Sequence, residues 1–329
     1  MIHTVKCLAA RPLAAVLLAL AAGSTTASAA PAVVVTIKPV HALVAAVMAG
    51  TGAEPKLLVS GRASEHDFAL KPSDARAIAK ADVVFRVSDQ LEGFMRRPLA
   101  AAPRVLDVEL IDTPGLVKLA PREGGVWEAH VHGDHDGHDD EGHDHEGHDH
   151  EGADHEGGVE PHIWLDPRNA RTMTARIAEV LISRDGANAA TYRANAAKLD
   201  AGLAALDAGL AQQLAPLAGK PFIVFHDAYQ YFEHRYGLTA VGSITVSPER
   251  KPSAQRIQAV RDRIRETGAR CVFAEPQFDS ALVATLTEGT GARAGSLDPT
   301  GADGVPAGPD AYAQVLRRLA ENLGACLGG

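Results

Sequence analysis

Three common catalytic signatures are absent from this chain of 329 residues. It contains no H-E-x-x-H, no G-x-S-x-G and no G-x-x-x-x-G-K-[ST], which leaves protease, esterase and nucleotide-hydrolysing readings without support. Basic charge is also scarce, at 32 Lys and Arg against 41 Asp and Glu. Nucleic acid and anionic membrane are therefore poor partners. Long apolar runs are missing beyond the first thirty residues, so no later segment could span a bilayer. Cysteine is rare as well, with three in all.

The start of the chain has the grammar of export. Lys6 and Arg11 form a positive region, Pro12 to Ala22 an apolar one, and Ala27-Ser28-Ala29 a small-residue cleavage site. Residues 1–29 are read as a signal peptide, with the mature chain beginning at Ala30. Cys7 precedes the apolar region and so is not the acylated cysteine of a lipoprotein. The expectation is a soluble periplasmic protein. Removing Lys6 and Arg11 leaves 30 basic residues against 41 acidic, a formal charge of −11. Cys271 and Cys326 also remain, an even pair in an oxidising compartment. A bridge between them would pin the C-terminal helix to a core strand and contribute about 4 kcal/mol. Two buried thiols are the alternative.

What the chain has in abundance is histidine. Nine of the fifteen lie between Glu128 and Glu156: His130, His132, His135, His138, His143, His145, His148, His150 and His155. Asp, Glu and Gly fill most of the gaps, and HDHEG repeats in tandem over 143–152. With no apolar periodicity the segment 128–157 cannot offset its ordering entropy, so a disordered loop is expected. Imidazole nitrogen and carboxylate oxygen at that density suit weak, multi-site capture of divalent transition metals. HVHGDH (130–135) also matches the H-x-H-x-D-H pattern of metallo-β-lactamase-type hydrolases. Inside so biased a composition such a match is nearly expected.

Elsewhere short β-branched runs alternate with amphipathic helices, the pattern of parallel sheets covered by helices. Strands are expected at Val33–Ile37, Lys56–Val59, Val83–Val87, Val105–Leu110, Phe222–Phe225, Thr239–Ile244 and Cys271–Ala274, with His162–Leu165 short and extended. Between about Asn188 and Ala215, Tyr192, Leu199, Leu203, Leu206, Leu210 and Leu214 recur at helical spacing. One rigid helix of about 40 Å follows. The expected α/β architecture is an N-terminal metal-binding lobe (30–187, containing the loop), that linking helix (188–215) and a C-terminal lobe (216–329).

Several short pieces place a histidine or carboxylate just after a strand, where open α/β sheets hold ligands. They are GRASEHDFALKPSDA (61–75), EPHIWLDP (160–167), FIVFHDAYQYFE (222–233) and GSLDPTG (295–301). With IKPVHALV (37–44), TVSPERKPS (245–253) and CVFAEPQF (271–278), the chain resembles the metal-binding periplasmic proteins of ABC transporters (cluster A-I). The zinc-uptake branch, whose members often carry a His/Asp-rich loop here, is the nearest. The match runs over nearly all the mature chain.

That resemblance implies metal ligands at His66, His162 and His226, with Asp298 or water in the fourth place and Glu65 as a substitute some relatives use. Three imidazoles and one carboxylate or water suit four-coordinate Zn²⁺, whereas manganese draws on more carboxylates. Manganese-binding relatives typically carry an acidic residue where this chain has His226. Affinity should fall with pH through the histidine range. His41 and His234 read as structural or surface residues, Glu275 as an interdomain contact more than a ligand, and Asp166 and Asp227 as acceptors that could orient an imidazole. The implied function is capture of zinc, as transported ligand, in an interlobe cleft by a monomer. The ion would pass to a permease driven by a cytoplasmic ATPase, with small lobe and loop shifts releasing it. A stand-alone zinc buffer or chaperone and a manganese-binding member of the same family are the competing readings. A zinc hydrolase is more remote; no enzyme is expected.

Overall fold

The computed structural model describes residues 1–2, 30–124, 126–127, 158–245, 248 and 250–329. The expected signal peptide, beyond its first two residues, and the histidine-rich segment 128–157 lie outside the described residues. No described helix is long and apolar enough to cross a membrane.

The first half runs β1 (Val33–Val35), α1 (Lys38–Met48), β2 (Lys56–Leu57), α2 (Pro72–Lys80), β3 (Val83–Arg86), α3 (Arg96–Ala100) and β4 (Leu106–Glu109). Its sheet has the order β2-β1-β3-β4 and every pairing is parallel. Two helices follow, α4 (Pro167–Arg184) and α5 (Ala189–Leu214). The second half then runs β5 (Pro221–Val224), α6 (Gln230–Tyr236), β6 (Thr239–Ser243), α7 (Ala254–Thr267), β7 (Cys271–Ala274), α8 (Ala281–Thr287), β8 (Arg293–Ser296) and α9 (Ala311–Leu327). Its sheet repeats the same arrangement, β6-β5-β7-β8, again all parallel.

The central strands are apolar on both faces, as sheets covered by helices require. Val33–Val35, Val83–Arg86 and Cys271–Ala274 are buried throughout. Helix ends follow local chemistry: Asp166 accepts from Arg168 N at the start of α4, and Gly237 closes α6 in the left-handed region. The 26 residues of α5 make a rod of about 39 Å. It buries Tyr192, Leu203, Leu206, Leu210 and Leu214. One hydrophobic cluster passes through both halves, joining Val35 and Phe85 to Leu206, Phe222, Phe273, Leu316 and Leu323. Helix α9 packs on α1 as well as on β8, so the last helix also touches the first half. The Cys271–Cys326 disulfide is present and ties β7 to α9, as the even cysteine pair suggested.

Three local readings need correction. Ile163–Leu165 is a single 3₁₀ turn rather than an extended segment, because Asp166 and Pro167 start α4 directly behind it. Helices α3 and α8, of five and seven residues, were too short for periodicity to reveal. Strand β8, RAGS, has little strand propensity. It pairs with β7, and a Cβ on Gly295 would meet the Phe273 ring at 2.5 Å.

Candidate metal centre

Three histidines converge from three separate pieces of chain. His66 follows β2 on the turn leading to α2, and its backbone N–H donates to Ser64 Oγ at 3.2 Å. His162 sits immediately before the 3₁₀ turn that opens into α4. His226 follows β5. The strand-borne pair leave the C-terminal ends of parallel strands, where an open α/β sheet offers a crevice. One ligand atom from each of the three lies within 4.8 Å of the others, and the ring centroids are 5.3–5.4 Å apart. The His162 and His226 side chains are 3% and 4% exposed, while His66 is 20% exposed. His66 is the most exposed of the three.

The orientation of two rings is set by carboxylates behind them. Nδ1 of His226 is 2.8 Å from Glu275 Oε1, and Nδ1 of His162 makes a short contact with Glu160 Oε1. Glu160 also accepts from the His162 backbone N–H at 3.0 Å, and the Tyr229 hydroxyl donates to Glu275 Oε1 at 3.2 Å. A proton on each Nδ1 leaves each Nε2 with its lone pair aimed forward. Those two Nε2 atoms are 3.4 Å apart. Two nitrogens bound to one tetrahedral zinc at the usual Zn–N length would be separated by about 3.3–3.4 Å. The spacing of this pair already matches the edge of such a tetrahedron.

The surrounding charge is heavily acidic. Burial pushes the Glu65 carboxyl up to about 7, helped by the charges of Glu275 and Asp298 and opposed by its backbone hydrogen bond and His226. Glu160 is raised well above the usual carboxylate range by burial and then by Asp227. Arg122 answers part of this. It donates to Asp227 at 3.0 Å and to Glu233 at 2.9 Å, with its guanidinium 3.7 Å from the centroid of the Trp127 ring.

The other sequence candidates are distributed as follows. Asp298 and Glu65 stand outside the three-histidine cluster, with Glu65 Oε1 4.0 Å from His66 Nε2. Asp298 follows β8 and accepts from the backbone of Thr300 at 3.2 Å and Asp303 at 2.9 Å. His41 is buried with Nε2 2.9 Å from Pro55 O, a structural role, and His234 is exposed. Among the described residues the partners of the two aspartates are not imidazoles: Asp166 caps α4 and pairs with Arg168, and Asp227 pairs with Arg122. Glu160 and Glu275 orient the rings instead. Both stand in the quoted pieces EPHIWLDP and CVFAEPQF, and the signal that could have found Glu160 is its place two residues before a candidate ligand. The nine loop histidines lie outside the described residues.

A family model described as zinc-uptake complex component A, periplasmic, matches residues 33–326. The high-affinity zinc uptake system protein ZnuA of Brucella abortus is 48% identical over 328 residues, covering 96% of this chain and 97% of its own. The protein of the same name from Yersinia pestis is 36% identical over 298 residues, 90% of this chain and 91% of its own. A crystal structure of ZnuA superposes with a TM-score of 0.71 at 24% identity, covering 91% of this chain and 99% of the other. At that identity the superposition speaks for the fold alone.

Proposed function

We propose, on the premise that the chain belongs to the family of the periplasmic zinc-uptake complex component A, that it captures one Zn²⁺ through His66, His162 and His226. The protein is the zinc-binding component of a zinc-uptake system, and zinc is its transported ligand. The observation that carries the ligand assignment is the meeting of three imidazoles within 4.8 Å, two of them with Nε2 atoms at 3.4 Å. Glu160 and Glu275 fix the tautomers and make the imidazoles better donors. Three nitrogen donors favour zinc over the harder manganese ion. Asp298, Glu65 or water completes the coordination, and Asp298 is our choice because Trp164, whose ring is 5.1 Å from that of His162, donates to the carbonyl of the next residue, Pro299.

The chain is exported by a signal cleaved after Ala29 and works as a monomer. The segment 128–157 gathers zinc weakly and raises its effective concentration near the trio. Because one hydrophobic cluster runs through both halves, large hinge opening is costly. Docking on a permease, powered by a cytoplasmic ATPase, then frees the ion by small shifts of loops and halves.

Zinc stoichiometry and competitive affinity, measured beside Mn²⁺ on the mature protein with and without residues 128–157, test this. Deletion should lower the stoichiometry and leave one tight zinc, which His66→Ala, His162→Ala and His226→Ala each remove. Tight zinc that vanished with the segment, or survived all three substitutions, would sink the assignment. Preferential manganese binding would move the protein to a neighbouring branch.

A further inference from the structure

Lys38 opens α1 in the first half, yet its ammonium ends in the second. It is 7% exposed, and Nζ donates to Val305 O at 2.8 Å and, in a shorter contact, to Gly301 O. Both carbonyls belong to the turn between β8 and α9 that begins at Asp298. Asp298 itself folds that turn, accepting from the backbone N–H groups of Thr300 and Asp303. Gly301 adopts a positive φ of 69°, and a Cβ there would meet Val315 of α9 at 2.6 Å. The turn is therefore seated tightly on α9.

Two further residues of the first half reach the same turn. Trp164 donates from Nε1 to Pro299 O at 2.9 Å, with its ring 5.1 Å from that of His162. Arg62, four residues before His66, pairs with Asp303 at 3.1 Å across an exposed gap. Lys38 alone among these three brings a buried positive charge. A desolvated ammonium is costly unless oxygen surrounds it, and two carbonyls together with the nearby Asp298 charge supply that.

We propose that Lys38 is a positioning residue for zinc retention: it clamps the Asp298-bearing turn of the second half onto the first, holding Asp298 where it serves the ion. The proposal rests on the three-histidine reading with Asp298 as the fourth ligand. An ion held from both halves then leaves only when this clamp loosens, so Lys38 acts on release through Asp298 and not by touching zinc.

The test is a double-mutant cycle in the full mature protein, loaded with one equivalent of Zn²⁺. The slowest phase of release to a strong chelator is followed for wild type, Lys38→Met, Asp298→Ala and the double variant. Unfolding of the metal-free variants is measured alongside. Lys38→Met should speed release about 10-fold or more, the scale of residues that orient a ligand. In the Asp298→Ala background it should add nothing, because the group it positions is gone. An unchanged release rate in Lys38→Met, or full additivity with Asp298→Ala, would overturn the proposal, since a merely structural lysine gives additive losses. If Lys38→Met does not fold, Lys38→Gln, which keeps a donor and drops the charge, enters the same cycle with the same criteria. Undiminished zinc binding in His162→Ala would show separately that the three-histidine reading had failed, and the clamp would fall with it.

Discussion

In each half a polar side chain just after the central strand meets a glutamate that follows the neighbouring one. Thr36, after β1, donates to Glu92, beyond β3; His226, after β5, meets Glu275, after β7. The strand orders are the same, so the two pairs occupy related positions. Their chemistry then diverges. Glu92 is fully buried and further accepts the backbone N–H groups of Val87 and Ser88 at 2.8 and 2.9 Å, which closes the first pair on itself. A hydroxyl has no second ligating atom to offer. An imidazole does: with Nδ1 held by Glu275, Nε2 of His226 projects toward His162. The shared topology supplies a place at the strand ends, and one residue decides whether that place offers a forward-facing imidazole or seals the half.

The halves also differ in how they are stapled, and removing the staple should produce the largest effect. Cys271→Ala with Cys326→Ala should cost about 4 kcal/mol of stability, read from urea unfolding of the metal-free protein. Loss well under 1 kcal/mol would mean that the second half gains nothing from the bridge the first half lacks.

A smaller effect separates the glutamates behind the histidines from Glu92. Glu275→Gln and Glu160→Gln should weaken zinc affinity about 10- to 100-fold in competition titrations. Glu92→Gln should leave it within about twofold. Equal losses at all three sites would break the contrast between an open and a closed pair.

A third effect is a pH slope. Burial raises the Glu92 carboxyl from 4.5 to about 7. Its stabilising contribution is thus fully present below about 4.5 and is lost as pH rises through about 7. The stability of wild type relative to Glu92→Gln should accordingly fall between those values and level off above. A difference that stayed flat, or rose, in urea unfolding across that window would exclude a neutral Glu92 in the folded state.

Much of the scaffold could be read from sequence because it depends on periodicity. The β-branched runs of β1, β3, β5 and β7 and the leucine spacing of α5 each carry their own pattern, independent of the rest of the chain. The three histidines were legible for another reason, as parts of short pieces whose order matched a known family. What stayed hidden was partnership. Asp166 and Asp227 are neighbours of candidate ligands in sequence, yet they serve a helix cap and an arginine. Glu275, 49 residues from His226, is the one that orients it. Strand β8 was hidden too, because its cause is the space beside Phe273 and not its own propensity.

Taken alone, the sequence determined a parallel α/β scaffold in two halves, a long helix between them, a cysteine pair able to bridge, and three histidines bearing the family's pattern. Those properties are local or additive along the chain, so residue type and spacing suffice. The tertiary structure decided which carboxylates hold which imidazoles, that two Nε2 atoms sit one tetrahedral edge apart, and that Lys38 reaches across to the turn of Asp298. Each of these pairs groups far apart in sequence or picks one neighbour over another, and a hydrogen bond a few tenths of an ångström wide is set by how the halves pack.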